Sequence, residues 1–382
     1  MKILTLNAGS SSLKAALYTR DNELLTRIGE AALSGVGSAH LSLHIDGKTI
    51  DINELSKADP ASIHAAVVER LFEEFNLVEN ELIVSHRVVH GGGKFSAPAI
   101  VNDDILEQLE RFSSLAPLHQ PFNLRLIRQV QAAHPSALNV VSFDTMFHAH
   151  QADIETCYAL PKPIRDMGIR RYGFHGLSYA YISDSQKLCE HPEERTVVLH
   201  LGAGSSACAM LGGQSMASSM GFSAVDGLPM GSRTGNLDPG VMVHLMREGM
   251  SADQLETLLY KQSGWLGLSG LCSDMRSLIE SSQKEAKFTV DYYCYHITQE
   301  IGRLTAILGG LDRVIFTAGV GEHAPIIREK VCHQLAWLGI EIDKTLNQTN
   351  QIEVASQSSK VRVQIVPTDE EWMLAKYAMQ LA

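Results

Sequence analysis

No apolar run in this chain is long enough to cross a bilayer, and one lysine precedes the first apolar segment, so neither a membrane partner nor a secretory leader is expected. Cysteine is sparse: Cys157, Cys189, Cys208, Cys272, Cys294 and Cys332 are scattered, with no Cys-x-x-Cys. That spacing argues against a zinc ribbon or a disulfide scaffold and points to reduced thiols in a cytoplasmic protein. Positive charge is in deficit. With 32 Lys and Arg against 43 Asp and Glu, the net charge of −11 argues against nucleic acid as a partner. Gly-x-x-x-x-Gly-Lys-Ser/Thr is absent, and so is a three-glycine dinucleotide fingerprint opening a helix. Low-complexity stretches and flexible linkers are missing as well. At 382 residues the chain is long enough for two domains with substantial cores.

What the chain does have is one loop written twice. Lys2 to Leu6 runs into Asn7-Ala8-Gly9-Ser10-Ser11-Ser12 and then Leu13 to Leu17. Thr196 to Leu201 runs into Gly202-Ala203-Gly204-Ser205-Ser206 and then Ala207 to Leu211. Each reads as apolar strand, small polar turn, apolar strand. Their Ala-Gly-Ser-Ser cores begin at Ala8 and Ala203, about half the chain apart. Taken singly, each reads as an ordinary tight hairpin. The repetition, with Lys14 just past the first turn, points instead to two turns whose backbone N–H groups and hydroxyls hold a polyphosphate.

Strand and helix signals alternate throughout, which predicts α/β architecture. Asp59-Pro60 reads as a cap and first turn, followed by Ile63, Val67, Leu71 and Phe75 every four residues. A second helix is expected near Asn102, with Ile105, Leu109 and Phe112 on one face. Residues 138–143 read as a buried strand ending at Asp144, and Ser251 to Gln254 fits a capping box. A long helix is expected over 290–308. A strand over 313–317 feeds Ala318-Gly319-Val320-Gly321-Glu322, and a last strand (361–366) and last helix (370–381) follow. The Gly-, Ser- and Asp-rich stretch 33–56 reads as surface hairpins. The boundary between halves is placed near Asp144, where a core strand ends.

Several polar clusters stand out. Arg87 sits in an apolar strand that leads into Gly91-Gly92-Gly93. A charge there needs a carboxylate partner or a ligand, and the glycines would let a ligand approach. Arg233 lies in the glycine-rich loop 231–240, where its planar fork suits carboxylate or phosphate oxygens. Pairing with Asp226 or Asp238 is the alternative. Asp144 closes a strand, where α/β enzymes assemble sites. His175 stands between aromatics and glycines and His119 between two prolines; with 16 histidines, a structural role is the default for each alone. Asp144 and His148 have helical metal-ligand spacing, but without His-Glu-x-x-His or a nearby cysteine zinc is not expected. Asp369, Glu370 and Glu371 either stabilise a helix N-terminus or supply oxygen to magnesium.

In order along nearly the whole chain, these segments resemble the acetate kinase family of short-chain carboxylate kinases: Asn7 to Lys14, His86 to Gly92, Ala116 to Pro121, Phe143 to His148, Tyr172 to Gly176, His200 to Ser206, Met230 to Gly235, Thr317 to Glu322 and Pro367 to Glu371. One such segment is weak; nine in order are specific. The resemblance implies a duplicated actin-like ATPase fold, built of two ribonuclease-H-like βββαβαβα domains with ATP in the cleft between them. The expected domains are 1–143 with 372–382, and 144–371.

It also implies a reaction: reversible transfer from ATP to acetate, giving acetyl phosphate and ADP, with Mg²⁺ (or Mn²⁺ in its place). By the resemblance, Asn7 and Glu370 are metal-associated, while Ser10, Ser12 and Lys14 belong to the first nucleotide loop. Arg87 binds substrate and Asp144 is catalytic. His175 and Arg233 stabilise the transition state, and His119 is a further active-site histidine. His200, Leu201, Gly202, Ala203 and Gly204, then Asp274, Met275 and Arg276, then Gly319, Val320, Gly321, Glu322 and His323 form three nucleotide-binding stretches. Val89, Leu118, Phe174 and Ala224 would hold the substrate's methyl group. The family implies a homodimer. Ala203 and His323 depart from it, since asparagine is usual at the first position and common at the second. Propionate kinase is the near alternative, and a non-catalytic ATP-binding switch on the same fold is the distant one.

Overall fold

The computed structural model describes every residue except 10, 11, 23, 38, 39, 117 and 118, and only the backbone of Asn53. Ser10 and Leu118, named above for the first nucleotide loop and the acyl pocket, therefore lie outside the described residues. The chain forms two compact units, Met1–Ala149 with Asp369–Ala382, and His150–Thr368. The divisions fall after Ala149 and after Thr368, a few residues from 143/144 and 371/372, so Asp144 and Glu370 belong to the first unit.

Among the described residues, the first unit is built on an eight-stranded sheet. Its strands are β1 (Lys2–Gly9), β2 (Ser12–Asp21), β3 (Leu24–Ser34), β4 (Ser42–Ile45), β5 (Lys48–Ile50), β6 (Leu82–Val88), β7 (Ala99–Ile100) and β8 (Leu138–Phe143). The order is β5-β4-β3-β2-β1-β6-β8-β7, with β1, β6 and β8 mutually parallel and the β1-β2-β3 meander antiparallel. Strands buried on both faces read as nearly continuous apolar runs, and β1, β6 and β8 do. Leu4 and Leu6 of β1 pack with Val67 and Leu71 of the Pro60–Glu74 helix and Leu126 of the Gln120–Ala133 helix. Ile3 points to the other face, against Ala375 and Ala378 of the last helix, Glu370–Met379.

The stretch 33–56 holds an edge hairpin, as expected, and that hairpin also joins the sheet. β4 and β5 extend the sheet, and Leu43, Ile45 and Ile52 are buried in its core. The helix capped by Asn102 stops at Glu110, so Phe112 lies past its end.

The second unit carries a five-stranded sheet among the described residues: β9 (Arg195–Leu201), β10 (Ser205–Leu211), β11 (Gln214–Ser218), β12 (Arg313–Thr317) and β13 (Arg362–Ile365). The order β11-β10-β9-β12-β13 repeats β3-β2-β1-β6-β8, with the same antiparallel meander and the same parallel continuation. The loop written twice is the β1–β2 turn in one unit and the β9–β10 turn in the other. The long helix begins earlier than expected, running Lys284–Leu308 to a left-handed Gly309 cap. Its Val290, Tyr293, Ile297, Ile301 and Leu304 enter the core at helical spacing.

Candidate active site

Because β1, β6 and β8 are adjacent and parallel, their carboxyl ends share one edge of the first sheet. Asn7 near the end of β1, Arg87 near the end of β6 and Asp144 just past β8 meet there. Arg87 Nε donates to Asp144 Oδ1 at 2.9 Å, and Nη2 donates to Oδ2 at 2.6 Å. Its Nη1 donates to Asn7 Oδ1 at 3.1 Å. Asn7 Nδ2 in turn donates to Glu370 Oε2 at 2.8 Å and Glu371 Oε1 at 3.0 Å. Burial alone would lower the Arg87 pKa, but Asp144 above all, with Glu370 and Glu371, raises it, so the guanidinium stays charged. Burial raises both glutamates. Arg87 pulls Glu370 back, and the charge of Glu370 pushes Glu371 further up.

The two glutamates open the last helix, whose cap is Asp369, accepting from the Trp372 N–H at 2.8 Å. Arg27 on β3 holds that cap, donating through Nη2 to Asp369 Oδ2 at 2.5 Å and to the Tyr18 hydroxyl at 2.8 Å. Lys14 on β2 pairs in register with Asn7, and its charge opposes the upward shift of Glu371. Ser12 closes the first turn opposite Gly9, and its carbonyl bonds His64 Nε2 at 3.2 Å. Asn123 fastens the turn to β6. Its Nδ2 donates to the Ala8 carbonyl at 3.1 Å, and its Oδ1 accepts from the Val89 N–H at 3.4 Å. Val89 is buried, and His119 stands half-buried at the cap position of the Gln120–Ala133 helix. Sequence reasoning missed Arg27 and Asn123.

In the second unit, His175 precedes the Gly176–Ser185 helix in a left-handed conformation, φ +56°. Its Nδ1 lies 2.8 Å from Ser206 Oγ, and its ring stacks on His200 at a centroid distance of 4.2 Å. His200 Nδ1 bonds Ser178 Oγ at 2.8 Å. The second turn is closed by the Gly202 N–H on the Gly204 carbonyl at 3.1 Å and by Ser205 Oγ on the Gly202 carbonyl at 2.8 Å. A Cβ placed on Gly204 would lie 3.3 Å from His175 Nε2 and 3.8 Å from Arg233 Nη1. Two side chains far apart in sequence thus converge on the turn.

Arg233 is fixed by Nη1 donating to the Ala224 carbonyl at 3.1 Å. Its loop is tied to the turn by the Gly231 N–H on the Ala203 carbonyl at 3.0 Å. Of the two aspartates weighed as its partners, Asp226 bonds Arg171 at 3.3 Å and Asp238 caps the Pro239–Arg247 helix. Phe174 beside His175 is buried, and Ala224 is half-buried.

A cavity of about 640 Å³ opens beside the second turn. Gly202 and Ala203 form part of its wall, with Asp274, Met275 and Arg276 at the start of the Met275–Glu280 helix. Gly319, Val320 and His323, on a short Ala318–His323 helix after β12, complete the expected set that lines it. The size, the apolar walls and the exposed glycine backbone suit a nucleotide. Four of the expected nucleotide residues do other work. Leu201 is in the core, and His200 stacks on His175. The Gly321 and Glu322 carbonyls accept from the buried Arg328 Nη1 at 2.8 and 3.0 Å. Arg328 was not anticipated; it braces the segment that carries Gly319 and Val320.

The family model for the Acetokinase family matches residues 2–376. An acetate kinase of Rhodopseudomonas palustris is 42% identical over 398 residues, covering 100% of this chain and 98% of its own. One of Rickettsia prowazekii is 40% identical, covering 99% and 98%. Among solved structures, Porphyromonas gingivalis acetate kinase is 32% identical with a TM-score of 0.86, covering 100% of this chain and 99% of its own. A propionate kinase of Francisella tularensis is 30% identical with a TM-score of 0.90, covering 100% of both chains.

Proposed function

From a chain that belongs to the acetokinase family, we propose reversible, Mg²⁺-dependent transfer of the γ-phosphoryl group of ATP to acetate, giving acetyl phosphate and ADP. The chain is a phosphotransferase with an actin-like ATPase fold, and ATP and ADP are its co-substrates. The observation that carries the mechanistic reading is the convergence of His175 and Arg233 on the Gly204 turn.

A carboxylate is already a nucleophile, so little proton abstraction is needed. The barrier lies in bringing an anion to an anionic phosphoryl group and holding both in line. Arg87, charged and held by Asp144, receives the acetate carboxylate. Asp144 orients Arg87 rather than taking a proton. His175 and Arg233 donate to oxygens that gain charge in the transition state. Glu370 and Glu371 offer two carboxylates, both held by the Asn7 amide N–H groups. That set suits Mg²⁺, which keeps several waters and binds through one or two carboxylates plus phosphates. There the ion would supply positive charge to the phosphate oxygens.

Trapping acyl phosphate with hydroxylamine across a panel of short acids tests the reading. Hydroxamate formed from acetate supports it; ATP binding without hydroxamate from any acid supports the switch instead. A homodimer and a cytoplasmic location complete the proposal, the first open to light scattering and the second to cell fractionation.

A further inference from the structure

We propose that Gln120 and Asn123 are positioning residues for acyl-size discrimination. From the Gln120–Ala133 helix they clamp the backbone at Val89 and His90, and so fix the wall on which the Val89 side chain stands. The claim rests on the function proposed above in placing Val89 against the acyl group; the clamp itself stands on geometry.

The Asp144 N–H on the Val88 carbonyl, at 3.1 Å, is the last bond joining the end of β6 to the chain leaving β8. Beyond it Val89, His90, Gly91 and Gly92 stay buried, yet none of them lies in a strand. A buried N–H needs an acceptor, and four consecutive amides find one on a side chain. The Val89 N–H donates to Asn123 Oδ1 at 3.4 Å and the His90 N–H to Gln120 Oε1 at 3.1 Å. The Gly91 N–H donates to Thr145 Oγ1 at 3.1 Å and the Gly92 N–H to His90 Nδ1 at 2.8 Å. Gln120 also returns a bond, its Nε2 donating to the His90 carbonyl at 2.9 Å, as a paired strand would. The same Nε2 reaches the Leu109 carbonyl at 3.3 Å. Asn123 Nδ2 donates to the Ala8 carbonyl at 3.1 Å. Each side-chain amide thus faces a backbone N–H with its oxygen and a backbone carbonyl with its nitrogen. That fixes which way round each amide sits.

The consequence is specific. Gln120 is wholly buried and Asn123 is 3% exposed, so their polar groups are spent on this backbone and not on water. The segment has little room to drift, since a Cβ on Gly91 would lie 2.9 Å from Phe143 Cγ. Telling apart two acids that differ by one methylene needs a wall that does not retreat. The side chain at 89 sets the size of the pocket, and the clamp beneath it sets how firmly that size is kept.

The test is kcat/KM for acetate and for propionate in the parent, Gln120→Ala and Asn123→Ala. Their ratio is independent of the fraction of enzyme that is folded, so a merely structural loss leaves it unmoved. Each variant should lower the acetate preference from on the order of tenfold to about twofold, while Gln120→Ala keeps the parent's KM for ATP. Val130→Ala, a core truncation on the same helix away from the clamp, should keep the parent's ratio. In a Val89→Ala background, Gln120→Ala should change the ratio no further, because both act through one side chain. The parent's ratio in both clamp variants, an equal shift in Val130→Ala, or independent effects of Val89 and Gln120 each overturn the inference. Amide hydrogen exchange of the parent needs no variant to fold. The Val89 and His90 amides should be protected like strand amides, and exchange at the rate of an exposed loop overturns the clamp. If they are protected but no acid yields hydroxamate, it is the proposed function that fails.

Discussion

Arg87 and Asp144 are joined by two parallel hydrogen bonds, Nε to Oδ1 at 2.9 Å and Nη2 to Oδ2 at 2.6 Å. The fork leaves Nη1 as the arm that faces Asn7. The pair therefore does two jobs. It neutralises a carboxylate that is 3% exposed, and it aims a guanidinium that is 20% exposed.

Those two jobs should separate by mutation. Arg87→Ala leaves Asp144 buried and unpaired, so unfolding should cost about 3 to 5 kcal/mol less and turnover should fall by orders of magnitude. Replacing the pair together, Arg87→Met with Asp144→Leu, should restore much of the stability and none of the turnover. Arg233→Ala should lose turnover comparably while unfolding nearly as the parent does. Urea denaturation and the hydroxamate assay on the four proteins check this. Turnover of Arg87→Ala and Arg233→Ala within about threefold of the parent, well below the loss expected for a transition-state contact, would refute their roles.

Glu370 carries a pH signature. Burial raises its pKa above 4.5, with Arg87 opposing. A folded state that holds the proton longer than the unfolded one loses stability as pH rises. The parent's unfolding free energy should therefore decline as pH climbs from 4.5 through the raised value, and Glu370→Gln should flatten that decline. The same variant should bind Mn²⁺ more weakly in a direct titration. A parallel decline in both proteins would remove Glu370 as its source.

Gly204→Ala inserts a methyl group 3.3 Å from His175 Nε2 and 3.8 Å from Arg233 Nη1. The group would occupy the space where both donors converge. The expected result is a fall in kcat on the order of 10²-fold, the cost of losing one transition-state donor, with little change in melting temperature. Equal losses of stability and activity would point to a backbone role alone.

Ala203 lies exposed on the wall of the cavity proposed to hold the nucleotide. Ala203→Asn adds a side-chain donor beside the phosphates, as is usual in the family. One hydrogen bond to a charged acceptor is worth about 1.5 kcal/mol, so ATP should bind about tenfold more tightly. Calorimetric titration measures it, and equal or weaker affinity would mean that the loop compensates another way.

The fold was legible because its signals are local and repeated. The twin apolar–turn–apolar segments became the first hairpin of each sheet, and the parallel strands were written as unbroken apolar runs. Within 33–56 the hairpin was legible but its pairing onto the sheet was not, because a short edge hairpin buries only alternate side chains, such as Leu43 and Ile45. In the site, the residues set at strand ends could be read in advance: Asn7, Arg87 and Asp144 meet as their strands dictate. Arg27, Asn123 and Arg328 could not. Arg27 and Asn123 work by bonding residues distant in sequence (Asp369 and Ala8), Arg328 ties the Gly321 and Glu322 carbonyls to Asn347, and none carries a local mark of it.

Acyl size is the property that likeness of fold cannot decide. An acetate kinase and a propionate kinase both superimpose closely on this chain, with TM-scores of 0.86 and 0.90. The difference between their substrates is one methylene, worth roughly 1–3 kcal/mol in an apolar pocket. By the family resemblance, the position of Val89 decides the matter: valine goes with acetate, and a smaller residue goes with propionate. Ala224 pulls the other way, since many acetate kinases carry proline there. Partial room should put the preference near the low end of that range, on the order of tenfold in kcat/KM for acetate over propionate. Val89 is buried, so truncation to alanine makes space rather than exposing a new surface. Val89→Ala should narrow or invert the ratio, and Ala224→Pro should widen it. Measuring kcat/KM for both acids in the three proteins decides. A parent that favours propionate, or a Val89→Ala variant with the parent's ratio, would mean that the methyl group is held elsewhere.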